Sequence, residues 1–136
     1  MNSALPLILT LVSIAPLAVA NDSHPIDSGL DLCLSQEQHY STAGVLDCID
    51  AATRQWDTEL NDAYRELMSQ LQPSQQLALK AAQRAWLSYR DREYETADAI
   101  YGGLEGTMYL PMHAMRVLRI TKTRALELGD YLSLLR

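Results

Sequence analysis

Eight apolar residues, Val45, Ile49, Ala52, Trp56, Leu60, Ala63, Leu67 and Leu71, follow one another at intervals of three or four. That spacing puts all eight on one stripe of an α-helix and scatters them over both faces of a strand. Residues 42–71 are therefore expected to form a helix about 45 Å long, at 1.5 Å per residue. Ser41 or Thr42 can cap its start, since a hydroxyl there accepts from N–H groups that lack an intrahelical partner. Gln72-Pro73 ends it, because the residue before proline avoids the helical region. A helix with one apolar stripe needs partners, and the rest of the chain must supply them.

Ser74 can cap a second helix over 75–101. Its main stripe is Ala78, Leu79, Ala82, Ala85, Trp86, Tyr89, Ala97 and Ile100, while Leu77, Leu87 and Tyr94 fall on other sides. Apolar residues on more than one side predict a central helix with several neighbours. Gly102-Gly103 closes it, GGLEGTMYLP reads as a glycine-rich loop, and Pro111 suits the first turn of a third helix over 112–130. There Ala114, Met115, Leu118, Thr121, Ala125, Leu128 and Leu132 share a face. Residues 21–40, with Pro25, Gly29 and scattered polar residues, read as irregular. No strand-like alternation and no repeat stands out. The expected fold is all-α: an antiparallel hairpin of two long helices with a third packed against it. At 136 residues and 48% hydrophobic, the chain suits a single domain over 21–136.

The first twenty residues, MNSALPLILTLVSIAPLAVA, carry no charged side chain and end in the small-x-small pattern Ala18-Val19-Ala20. They read as a secretory signal peptide cut after Ala20. An uncleaved membrane anchor is the alternative, against which Pro6, Pro16 and the short apolar core count. Export implies an oxidising compartment, and there the chain's two cysteines, Cys33 and Cys48, are expected to form one disulfide. Two free thiols would suit a reducing compartment instead. In the chain-entropy view such a bridge stabilises by about 3 kcal/mol.

The net charge is −6 and unevenly spread. Residues 41–71 carry six acids and two bases, and residues 112–136 carry five bases and two acids. That balance disfavours nucleic acid and anionic membrane surfaces and favours a cationic partner. Nothing points to catalysis. His24, His39 and His113 lie far apart and in no metal-ligand spacing. There is no G-x-S-x-G and no strand-borne phosphate loop. A glycosidase carboxylate pair would need a cleft that three helices do not offer. No enzyme activity, cofactor or metal is expected.

Trp56 and Trp86 lie centrally on their stripes and, with Tyr89, read as a core aromatic clamp between the first two long helices. Glu93 falls by helical phase near the centre of the second helix's stripe. A carboxylate there needs a partner. Arg90, Arg116, Arg119 and Arg124 are within the sequence's reach, and a structural ion pair with Arg119 or Arg124 is the expected one.

Cys48 is followed by Trp56-Asp57, Leu60-Asn61, Tyr64, Leu67 and Leu71, then by AQRAWLSYRDREY over 82–94. Tyr101-Gly102-Gly103, Arg119-Ile120-Thr121 and Arg124 with Glu127-Leu128 complete the set. In this order, over about residues 30–130, the motifs resemble the lysozyme-inhibitor LprI-like family. The resemblance implies a small exported helical domain of bacterial envelopes, with lysozyme inhibition in at least one lipoprotein member. Members commonly carry a cysteine where Tyr94 stands and another near Met115 or Arg116. Both are absent here, which is what loss of a second disulfide would look like. No cysteine follows the cleavage site, so a lipid tether is not carried over.

Glu59, Asp62 and Glu66, three and four apart, form an acidic ridge beside the apolar stripe, with Asp50 and Asp57 on its other flank. Lysozymes of the C type are strongly basic, so this ridge is one expected partner-binding surface. Glu105 and Tyr109 in the glycine-rich loop form the second. The expected function is an exported inhibitor-like protein that blocks a basic lysozyme or another cell-wall-active protein. The alternative is an envelope module, structural or stress-related, whose partner is another envelope protein or a second copy.

Overall fold

The computed structural model describes residues 23–136, and the signal peptide expected at 1–20 lies outside them. Helix α1 spans Pro25–Leu34, α2 Thr42–Gln70, α3 Pro73–Gly102 and α4 Tyr109–Ser133, with a 3-10 turn at Glu37–His39. The architecture is all-α, an antiparallel hairpin of α2 and α3 with α4 packed against it and no strand among the described residues.

Helix α2 begins as its sequence predicts, with the Ser41 hydroxyl accepting from Gly44 N–H at 3.1 Å. It ends at an extended Leu71 just ahead of Pro73, which opens α3. The cap of α3 is Gln72, not Ser74: Gln72 N–H donates to Gln75 Oε1 at 2.9 Å. Gln76 Nε2 then donates back to the carbonyls of Met68 and Leu71, at 2.8 and 3.0 Å, and locks the turn.

Six of the eight stripe residues of α2, from Ile49 to Leu67, are buried, and Val45 and Leu71 are half-buried. Their cover comes from Leu118, Ala125, Leu128 and Leu132 of α4 and from Ile26 and Leu30 of α1. Helices α2 and α4 run parallel. Val45 and Ile49 border a hollow with Met112 and Met115 at one end, and Glu66 meets Arg136 at 3.4 Å near the other. Helix α3 is the crossover between them.

That arrangement corrects the expectation of a central second helix. Of the α3 stripe only Leu79 and Ala97 are buried, Trp86 is half-buried, and Ala78, Ala82, Ala85, Tyr89 and Ile100 are exposed. The physical reason is area: an alanine-rich stripe hides little apolar surface, and the leucines of α4 cover α2 better. Helix α3 is fastened to α4 by polar rungs instead. Gln83 Oε1 accepts from Arg124 Nε at 3.0 Å, Glu93 pairs with Arg116, and Tyr94 Oη bonds Thr121 Oγ1 at 3.2 Å.

The region read as irregular contains α1. His24 Nδ1 accepts from Ile26 N–H at 3.3 Å, Pro25 occupies the first turn, and Asp27 lies there too. These are helix-start signals, and Gly29, read as a breaker, sits exposed with nothing near it. Cys33 and Cys48 are joined, with Cα atoms 5.8 Å apart, and the bridge pins the end of α1 to α2. Beside it the backbone of the 3-10 turn crosses α2 so closely that a Cβ on Gly44 would stand 2.6 Å from His39 Cα. Glycine at 44 is what admits that crossing.

Candidate functional site

The acids Glu59, Asp62 and Glu66 are all exposed along α2, but they are not equally free. Asp62 pairs with Arg65, and Glu66 holds Gln70 at 3.2 Å and Arg136 at 3.4 Å. Glu59 has no ion-pair partner among the described residues. Asp50 is paired with Arg54. Asp57 borders a groove of about 390 Å³ whose opposite wall carries Lys80, Arg84 and Arg90 of α3. The ridge is thus continuous in position and partly neutralised by the chain's own arginines.

The turn between α3 and α4 is the more distinctive surface. Helix α4 starts at Tyr109, two residues before Pro111, so the connecting turn is short and covers residues 103–108. Gly106 takes φ +116°, a left-handed value that a side chain would resist. Glu105 is exposed, as expected. Tyr109 is a half-buried residue of the first turn of α4, bordering a hollow of about 250 Å³ with Tyr101, Leu110 and His113. The rings of Tyr101 and His113 lie 5.5 Å apart. Around this turn Ile100, Leu104, Met108, Leu110 and Met112 stand exposed, Met108 at 64%. From the sequence, Glu105 and Tyr109 stand out in this region and Ile100 falls on the core stripe of α3, while Leu104, Met108, Leu110 and Met112 carry no expectation. For Leu104, Met108 and Leu110 the signal lies in GGLEGTMYLP, because apolar side chains in a surface turn have no core to enter.

The expected aromatic clamp is corrected. Trp56 is wholly buried, but it stacks on His24, ring centroids 4.3 Å apart, with Lys122 Nζ 5.4 Å from its centre. Lys122 in turn bonds Asp27 at 2.6 Å, so Trp56 clamps α1 and α4 to α2. Trp86 is half-buried beneath Arg90, 5.6 Å away, and Tyr89 is 50% exposed. Both lie on α3, which stands off from α2. The expected ion pair is corrected likewise. Glu93 pairs with Arg116, Arg119 is exposed, and Arg124 is engaged by Gln83 and Glu127. Antiparallel register between α3 and α4 sets position 93 against 116, whereas Arg124 faces Gln83 nearly three turns away. The Glu93 hydrogen bond is the foremost cause of a raised Arg116 pKa, with burial opposing it.

Cys33, Cys48 and His39 bring possible metal-ligand atoms within 4.8 Å of one another. The two sulfurs are bonded to each other, and a metal takes a thiolate. His39 Nδ1 lies 3.0 Å from the Cys33 carbonyl oxygen and closes the turn. No described helix is long and apolar enough to cross a membrane.

Comparison with solved structures finds an uncharacterized protein of Burkholderia thailandensis, 32% identical, with a TM-score of 0.79. The match covers 83% of this chain and 56% of that one, so this chain spans little more than half of its relative's length. Comparison with curated proteins finds no match. Residues 33–128 match the family described as Lysozyme inhibitor LprI, a span that runs from the first cysteine of the disulfide through most of α4. The chain belongs to the lysozyme inhibitor LprI family.

Proposed function

We propose that this chain is an exported, non-enzymatic binding protein that blocks a lysozyme, or another basic protein acting on the cell wall, by covering part of its surface. The observation that carries this reading is the α3–α4 turn, where five exposed apolar side chains gather beside Glu105 and Asp98. An apolar patch with an acidic rim is the complement of a basic protein surface with an apolar depression. The acids of α2, with Glu59 foremost, add attraction during encounter and need not touch the partner. Such blocking requires no bond to be made or broken. The leader at 1–20 would deliver the chain to the periplasm or beyond the cell.

The test is a lysis assay with a C-type lysozyme and purified residues 21–136. Inhibition at micromolar concentration is expected, weakened at least tenfold by Leu104→Glu with Met108→Glu. Both side chains are exposed, so the helix content of the variant should not change. No complex and no inhibition at micromolar protein would end the lysozyme reading. A second reading, an envelope module that meets another envelope protein or its own copy, draws on the exposed Leu77, Leu87 and Tyr89 of α3. It predicts a mass in sedimentation that rises with concentration and ignores added salt.

A further inference from the structure

At the end of the molecule opposite the 103–108 turn, a groove of about 370 Å³ runs between α3 and the last turns of α4. Leu71, Ala78, Leu79, Ala82 and Leu134 line it, and Arg124 is the one charged residue among its walls. Arg124 is 8% exposed, yet its guanidinium is only partly used. Nε donates to Gln83 Oε1 at 3.0 Å and Nη1 to Glu127 Oε2 at 3.0 Å. Nη2 is buried and has no partner among the described residues.

A buried cationic donor without an acceptor is a cost to the fold. A well-packed apolar side chain of similar size would serve stability as well or better. Glu127 pairs with Nη1 from a side chain that is 52% exposed, and it leaves Nη2 without an acceptor. What remains is one guanidinium nitrogen, Nη2, without an acceptor, on a residue that lines an apolar groove. The volume lies within the range of small-molecule sites, roughly 300–1,000 Å³.

We propose that this groove binds an amphipathic monocarboxylate of the fatty-acid class. The alkyl chain lies along the leucine and alanine walls, and the carboxylate accepts from Arg124 Nη2. Protein atoms cover Nη2, so the carboxylate reaches it as a wall side chain turns aside. Tyr131 and Leu134, both more than half exposed, have that freedom. The site is independent of the partner-binding turn at the other end.

Calorimetry with decanoate, below its micelle concentration, tests the proposal on the intact protein. One decanoate per chain is expected, with decyltrimethylammonium at least tenfold weaker. Ala78→Trp, at an exposed wall position, should fill the groove and abolish binding while leaving the circular dichroism unchanged. Arg124→Lys keeps the charge but removes Nη2 and should weaken decanoate at least tenfold. If that variant does not fold, Ala78→Trp decides alone. Absence of saturable binding, equal affinity for the two head groups, or binding that survives Ala78→Trp would each overturn the proposal.

Discussion

Trp56 and Trp86 occupy equivalent places on the stripes of their helices, yet they differ in what they hold. Trp56 is wholly enclosed and joins three helices, whereas Trp86 keeps one side open beneath Arg90. Trp56→Ala is expected to cost about 3–5 kcal/mol in urea unfolding, and Trp86→Ala about 1–2 kcal/mol. Equal costs would mean that α3 packs as tightly as α2. Glu93 and Arg116 give a second expectation. The raised Arg116 pKa means that the pair's contribution from the arginine side is whole at every pH below arginine's ordinary range. It is lost only as pH climbs through the raised value. Glu93→Gln should therefore lower stability by about 1 kcal/mol, a figure discounted because both side chains are about a third exposed, and by the same amount at about pH 6 and pH 9. Unfolding curves at the two pH values check this. That Glu93 needs a cation was legible from helical phase. Which arginine answers it was not, because the register of α3 on α4 depends on the turn at 103–108, and no local pattern encodes it.

Among the elements, α2 was readable almost to the residue, since its stripe, its serine cap and the proline beyond it agree. Helix α1 is harder to read, because Pro25 and Gly29 look like breakers although Ile26, Leu30 and Cys33 are spaced three and four apart. Proline in a first turn costs a helix nothing, and the loss at Gly29, about 1 kcal/mol, is offset by the burial of Ile26 and Leu30. Helix α3 departs from its pattern for a different reason: periodicity treats alanine and leucine alike, and burial does not. Tyr94 shows what replaces tight packing there. Its hydroxyl meets Thr121, one of the polar rungs between α3 and α4. A few polar rungs hold a helix less firmly than a core seam does. Amide hydrogen exchange should accordingly find α3 opening well before α2 and α4, with protection factors at least tenfold lower in its middle turns. Uniform protection across the three long helices would contradict the polar attachment.

For the whole molecule, the distribution of charge bears on binding. Acids predominate on α2 and bases on α4, and these two helices lie side by side. Attraction for a basic partner thus belongs to one side of the molecule and is screened over a Debye length of about 8 Å at physiological salt. The affinity for a basic lysozyme should fall about tenfold or more between roughly 50 and 500 mM salt, chiefly through the association rate, as surface plasmon resonance can show. A salt-independent affinity would leave the apolar turn acting alone. The acidic ridge and the loop were legible because charge and glycine are written in the sequence. The apolar character of the loop's flanks, and Arg124 in its groove, became visible only with the helices in place. The parallel pairing of α2 with α4 also sets an order in time. A ribosome finishes α2 and then all of α3 before the residues that cover α2 exist. Until positions 109–133 are made, the stripe from Ile49 to Leu67 has only α1 and an alanine-rich neighbour to lie against. A chain halted after residue 102 would lack the main cover of its core, so the protein remains unfinished, and fit to be threaded through a membrane pore, for most of its synthesis.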